Sequence, residues 1–111
     1  MNYKKLFLLV IFILALTGCG QPVPPEKSAY VGEWQAPDMQ LLITQDGSVK
    51  YERLKGDVTT SVSGPLQKFE GNNFSVGISF MSTTFVVSKP PYQDGNAWKM
   101  VVDDVELTKV Q

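Results

Sequence analysis

The sequence has no histidine and only one cysteine, Cys19, among its 111 residues. The lack of histidine excludes Ser-His-Asp and Cys-His nucleophile pairs, histidine general bases and zinc sites built on imidazole. The single cysteine excludes an intramolecular disulfide and any CxxC metal or redox motif. Lys and Arg are spread along the chain without a dense cluster, so no nucleic-acid partner is predicted. Carboxylates remain as the acid–base candidates.

The N-terminus has the pattern of a targeting segment. Lys4 and Lys5 precede residues 6–16 (LFLLVIFILAL), in which no side chain is polar. At about 1.5 Å per residue, this run covers roughly half of a hydrocarbon core of about 30 Å. The pattern therefore favours a signal peptide over a transmembrane helix. The run ends at Leu16-Thr17-Gly18-Cys19.

These last four residues resemble the lipobox of bacterial lipoproteins. The resemblance implies cleavage between Gly18 and Cys19, a diacylglycerol on the Cys19 thiol and, commonly, a further acyl chain on the new amine. Two or three acyl chains hold a protein on a bilayer essentially permanently. Gly20 is not acidic, and the family's sorting rule then points to the outer membrane, facing the periplasm, rather than to the inner membrane.

Three parts of the chain are predicted from this pattern: a signal peptide over 1–18, a lipidated tether over 19–28 and a folded domain over 29–111. Three prolines in 20–28 (GQPVPPEKS) favour an extended polyproline II spacer, roughly 25 to 30 Å long at about 3.1 Å per residue. Without residues 1–18 the chain has 8 basic and 11 acidic residues. The mature protein is therefore mildly acidic.

The sequence predicts that the folded domain is all-β. From residue 29, apolar alternation and turn signals recur about every eight to twelve residues, as in antiparallel strands. Asp46-Gly47 predicts a hairpin turn, Asp103-Asp104 predicts another, and Gly64-Pro65 predicts a break or a bend in the pairing. Residues 89–96 are predicted to be the longest loop. We expect a small antiparallel meander of seven or eight strands in a closed or nearly closed barrel.

Gly32-Glu33-Trp34 resembles the G-x-W start of lipocalins and of avidin-like barrels. There the Trp closes one end of the barrel and the Gly permits close packing. The resemblance implies an alternative function, a lipocalin-like carrier of a small apolar ligand, although so short a domain favours a filled core. Residues 61–68 are similar to a loop of the membrane-bound lysozyme inhibitors. That family has disulfide cysteines which this chain lacks, so none of its residue roles is transferred.

The sequence predicts no catalytic residues, no metal ligands and no cofactor. Asp103 and Asp104 are adjacent in a turn, which favours a solvated hairpin tip over the paired carboxyls of a glycosidase. Asp46 and Asp94 each offer one carboxylate in a turn, which is too few for a calcium loop. A hydrolase that uses carboxylates alone stays open as a minor alternative.

Three side chains are predicted as possible partner contacts. Tyr92 follows two prolines that stiffen its loop, and Arg53 and Lys55 belong to a loose basic cluster with Lys50. A stiff loop loses little entropy on contact. We interpret the chain as a lipid-anchored envelope lipoprotein that acts without catalysis, as a binding, accessory or inhibitor module. The expected partners are the membrane, through Cys19, and an envelope protein or glycan.

Overall fold

The computed structural model describes residues 20–78 and 80–110, so Gly18 and Cys19 lie outside the described residues. A 3₁₀ helix, Pro25–Tyr30, precedes nine strands. No helix in this part of the chain has the length and apolar character needed to cross a membrane. The strands are β1 Gly32–Ala36, β2 Met39–Ile43, β3 Ser48–Lys55, β4 Val58–Glu70, β5 Asn73–Ile78, β6 Met81–Phe85, β7 Val87–Asp94, β8 Ala97–Val102 and β9 Val105–Lys109.

The nine strands form one antiparallel sheet in the order β6-β5-β4-β3-β2-β1-β9-β8-β7. The pairing of β1 with β9 joins the start of the meander to its end, and the sheet curls into a half-barrel. The predicted all-β antiparallel meander is confirmed. The strands number nine rather than seven or eight, and the two end strands β6 and β7 are not paired within the described residues.

The paths of β4 and of β6 with β7 explain why the sheet differs from the predicted barrel. β4 is one continuous strand that pairs with β3 as far as Pro65 and with β5 from Leu66 onward, so the predicted break or bend at Gly64-Pro65 is a change of pairing partner. β6 and β7 are joined end to end through Val86. Because β6 continues almost directly into β7, the two strands do not lie side by side and the sheet stays open between them.

The longest loop was predicted in the wrong place. Residues 89–94 belong to β7, which pairs with β8 through shifts of register between Val87 and Lys89 and between Lys89 and Tyr92. Proline has no N–H to donate to a neighbouring strand, and it is tolerated on an edge strand or at a bulge. Pro90 and Pro91 meet both conditions, because β7 ends the sheet and its register shifts there.

The antiparallel order places the turns at two opposite ends of the sheet. One end, here called the open end, has the turns at 37–38, 56–57 and 103–104. β5 pairs only with residues 66–70 of β4, so its end at Ile78 lies near Gly64, away from the 56–57 turn. The other end has the turns at 45–47, 71–72 and 95–96, and the 3₁₀ helix contacts it. Lys27 Nζ donates to the Gly71 carbonyl at 2.8 Å, and the Tyr30 hydroxyl donates to the Asn72 carbonyl at 2.8 Å.

The interior of the half-barrel is filled by side chains. Phe85 stacks on Phe74 with ring centroids 5.1 Å apart, and it lies 4.8 Å from the Tyr51 ring. Trp34 is completely buried, and its indole Nε1 donates to the Tyr30 carbonyl at 2.9 Å. The buried hydrophobic set is Val23, Tyr30, Trp34, Met39, Leu41, Ile43, Val49, Tyr51, Leu66, Phe74, Val76, Phe85, Val87, Met100, Val102 and Leu107.

Candidate functional site

The segment that follows Cys19 is bound to the sheet. Gln21 N donates to the Leu66 carbonyl at 3.1 Å, and Val23 N donates to the Gln45 carbonyl at 3.0 Å. The Gln45 side chain returns a hydrogen bond to the Val23 carbonyl at 2.9 Å, and Val23 is 2% exposed. Residues 20–28 therefore do not form the free, extended spacer that their three prolines predict.

The contacts of this segment are close. A Cβ atom added to Gly20 would lie 2.7 Å from the Pro65 Cβ and 2.7 Å from the Gly47 carbonyl oxygen. Gly47 has a φ of +91°, and a Cβ there would lie 2.1 Å from the Gln21 carbonyl oxygen. Glycine at 47 thus allows the N-terminal segment to pack against the β2–β3 turn. A groove of about 400 Å³ lies between this segment and residues 66–69 of β4.

The 3₁₀ helix then joins the segment to the core. Tyr30 packs edge-on against Phe69 at 5.1 Å and Phe74 at 6.2 Å, and burial raises the pKa of its hydroxyl. The Lys27 ammonium lies 5.6 Å from the centroids of both the Tyr30 and Phe69 rings. Residues 20–30 therefore pack as part of the folded domain, although proline content had suggested a tether.

Backbone and side-chain hydrogen bonds around Val86 fix the corner between β6 and β7. Asp103 N donates to the Val86 carbonyl at 2.8 Å, and Val86 N donates to the Asp103 carboxylate at 2.9 Å. Val87 N donates to the Asn73 side-chain oxygen at 2.8 Å. We call this group of contacts the seam. Asp103, predicted to be solvated at a hairpin tip, is instead half-buried and fixes the corner between β6 and β7.

The three predicted partner contacts are not brought together. Arg53 and Lys55 both lie in β3, near the turn at 56–57, whereas Tyr92 lies in β7, with β2, β1, β9 and β8 between the two strands. Tyr92 is half-buried opposite Lys99, and the Lys89 ammonium lies 5.8 Å from its ring centroid. Lys55 is exposed. Arg53 is half-buried, and its Nε has no hydrogen-bond partner among the described residues.

Exposed apolar side chains occur in more than one place among the described residues. Leu54, Val58 and Val86 flank or contact the turns of the open end, and Val110 follows β9. Ile78, Phe80 and Met81 lie at the end of the β5–β6 hairpin. They are the most exposed of these side chains and form the β5–β6 hairpin tip, defined here as Ile78, Phe80 and Met81, at 71%, 89% and 73% exposure.

The alternation of Phe74, Val76, Ile78 and Phe80 predicts one strand with one buried face, so the sequence alone does not indicate this tip. In the structure, Ile78 lies beyond the last strand pair between β4 and β5, which joins Leu66 to Val76. On that side Ile78 has no neighbouring strand, and on the other side it pairs with the exposed Met81. An available signal was charge, since residues 71–88 contain no Asp, Glu, Lys or Arg.

No group of three or more acidic or cysteine side chains that could hold a metal ion occurs among residues 20–78 and 80–110. A surface groove of about 190 Å³ between Glu33, Lys50 and Glu52 carries both signs of charge. The exposed side chains of the β5–β6 hairpin tip offer an apolar contact surface.

Comparison with known proteins adds no relative. No protein-family model, no curated protein and no solved structure matches this chain.

Proposed function

We propose that the protein is a bacterial lipoprotein, anchored in the cell envelope by acyl chains on Cys19, whose half-barrel domain acts by binding and not by catalysis. The observation that carries the proposal is the order of a basic segment, an apolar run and Leu16-Thr17-Gly18-Cys19. The residue after Cys19 is Gly20, and the proposed site is the outer membrane, facing the periplasm.

The packing of residues 20–23 supports a short connection between anchor and domain. Gly20 lies against Pro65, and Cys19 is joined to it by one peptide bond. Acyl chains on Cys19 would therefore start at the wall of the half-barrel, without a spacer of free chain. The domain would be held at the bilayer surface instead of being displaced from it.

The filled interior supports a binding role for the exterior. The aromatic rings of Tyr51, Phe74 and Phe85 occupy the space in which a carrier would hold its ligand. The alternative of a lipocalin-like carrier has no observation in its favour beyond Gly32-Glu33-Trp34. In that motif, Trp34 is buried, and a Cβ on Gly32 would lie 2.5 Å from the Lys109 side chain.

Growth of the source cells with labelled palmitate tests the anchor. The wild-type protein should incorporate label, and a Cys19→Ser variant should incorporate none. A Ser82→Cys variant, which adds a thiol at an exposed position, controls for labelling of cysteines in general. An unlabelled wild type, or equal labelling of wild type and Cys19→Ser, would contradict the proposal.

The binding role is tested separately by photo-crosslinking in intact cells. Crosslinking groups at Lys55 and at Tyr92 report on the two regions that sequence analysis predicted as partner contacts. A single envelope protein or glycan strand captured at one position and not at the other would locate the binding surface. The absence of any adduct at both positions, in a protein that is present at its normal level, would count against contact at these residues.

A further inference from the structure

We infer that the β5–β6 hairpin tip, Ile78, Phe80 and Met81, is a second membrane contact that inserts into the bilayer beside the acyl anchor. The inference rests on the proposed anchor at Cys19. A lipid surface, in this inference, covers the exposed apolar side chains of the tip.

The first argument is position. Gly20 packs against Pro65, the next residue, Leu66, pairs with Val76, and Ile78 follows Val76 by two residues. Two residues of strand correspond to roughly 7 Å, so the tip and the start of the acyl chains lie on neighbouring strands within a short distance. A bilayer that receives the acyl chains is therefore the nearest apolar surface that the tip can reach.

The second argument is composition. The tip lies in a stretch of 18 residues, 71–88, that has no charged side chain. Burial of a charge in hydrocarbon costs several kcal/mol, and this hairpin can enter a lipid surface without that cost. Phe80 is 89% exposed, and phenylalanine is one of the large apolar residues found on the membrane-facing side of interfacial segments.

The third argument is the sign of the charges. Residues 71–88 contain no Lys or Arg, so anionic lipids are not expected to strengthen the contact, in contrast to surfaces that bind membranes through Lys and Arg.

The test uses the acylated protein purified from cells and reconstituted into phosphatidylcholine vesicles. Phe80→Trp places a fluorophore at the tip, and Val58→Trp, at an exposed apolar residue seven residues along β4 from Pro65, is the matched control. Signals are taken as differences from the wild type, which contributes Trp34 and Trp98 to each variant. The native fold of each variant is checked by its urea midpoint.

The inference predicts that Phe80→Trp emission shifts to the blue in vesicles and is quenched when the lipid acyl chains carry bromine. Val58→Trp emission should not change. Addition of phosphatidylglycerol to the vesicles should not increase the quenching. Equal quenching of the two variants, or none in either, would overturn the inference.

Two further outcomes separate the possible causes of failure. If Phe80→Trp emission shifts to the blue without vesicles as protein concentration rises, a second copy of this chain covers the tip and the lipid assignment is wrong. If the N-terminal peptide carries no acyl group, the proposed anchor fails. Quenching of the same Phe80→Trp protein by added brominated vesicles then shows whether the tip contacts lipid without an anchor.

Discussion

The seam allows a sharp test of how this sheet is held together. Asp103 and Asp104 form the two-residue turn between β8 and β9, and both have a positive φ, of 47° and 68°. Replacement of either by glycine removes a carboxylate, relieves the left-handed conformation and adds backbone freedom to the unfolded chain. Only Asp103 also loses a hydrogen bond, the one accepted from Val86 N at 2.9 Å.

The difference between the two variants therefore isolates that bond. Hydrogen bonds to charged acceptors contribute about 1.5 to 3 kcal/mol, and the partial exposure of this corner reduces the expected value to about 1 kcal/mol. With an m-value of about 1 kcal/mol per molar urea, Asp103→Gly should unfold at a midpoint about 1 M below that of Asp104→Gly. Asp103→Asn keeps an acceptor oxygen and tolerates a positive φ, so it should stay within about 0.5 kcal/mol of the wild type.

The assay is urea unfolding followed by tryptophan fluorescence, since Trp34 is completely buried in the folded state. If Asp103→Gly and Asp104→Gly have the same midpoint, the Asp103 carboxylate does not hold the corner between β6 and β7. The half-barrel would then depend on apolar packing alone.

Other parts of the fold give three further predictions. Gly47→Ala should destabilise the protein by at least about 1 kcal/mol more than Gly56→Ala, because a Cβ at 47 meets the N-terminal segment and a Cβ at 56 meets nothing within 4 Å; equal urea midpoints would refute this. The hydrogen bond from Lys99 to Glu106 raises the Lys99 pKa, so Glu106→Gln should lower that pKa in an NMR titration. Because the folded pKa of Lys99 is raised, the stability that the pair contributes is fully present below the unfolded pKa of about 10.5 and is lost as pH rises through the folded pKa. The stability difference between wild type and Glu106→Gln should therefore be constant from about pH 6 to 9. Trp34→Phe removes a buried hydrogen bond and should lower the free energy of unfolding by about 2 kcal/mol, measured by urea unfolding followed by circular dichroism because the variant lacks the Trp34 fluorophore.

Local patterns predicted most of the strands. Alternation fixed which side chains of β2 and β8 are buried, and Val49 and Tyr51 face the core as their alternation with polar residues in β3 indicates. The turns at Asp46-Gly47 and Asp103-Asp104 also follow from residue type, because these residues accept the conformations that tight turns need. Each of these features depends on a few neighbouring residues.

The features that the sequence did not predict depend on distant contacts. Proline content favours an extended chain over 20–28, but hydrogen bonds to Leu66 and Gln45 bind this segment to the sheet. Prolines 90 and 91 favour a loop, yet an edge strand with a shifted register accommodates them. Propensity reveals neither the contact of Gln21 with Leu66, 45 residues away, nor the shifts of register in an edge strand.

The same limit applies to the candidate site. The exposure of Ile78 follows from the point at which β4 and β5 stop pairing, and nothing near Ile78 in the sequence marks that point. In contrast, the lack of charge over 71–88 was readable, and it is this property that suits the tip to a lipid surface. Composition indicated the chemistry, and tertiary structure was needed to show where it is exposed.

The mass of the N-terminal peptide, released from protein purified from cell membranes, tests the central proposal most directly. The proposal predicts a chain that begins at Cys19 and carries a diacylglyceryl group on its sulfur, with no peptide from residues 1–18. A peptide that begins at Met1, or one in which the Cys19 thiol is free, would contradict the lipoprotein assignment.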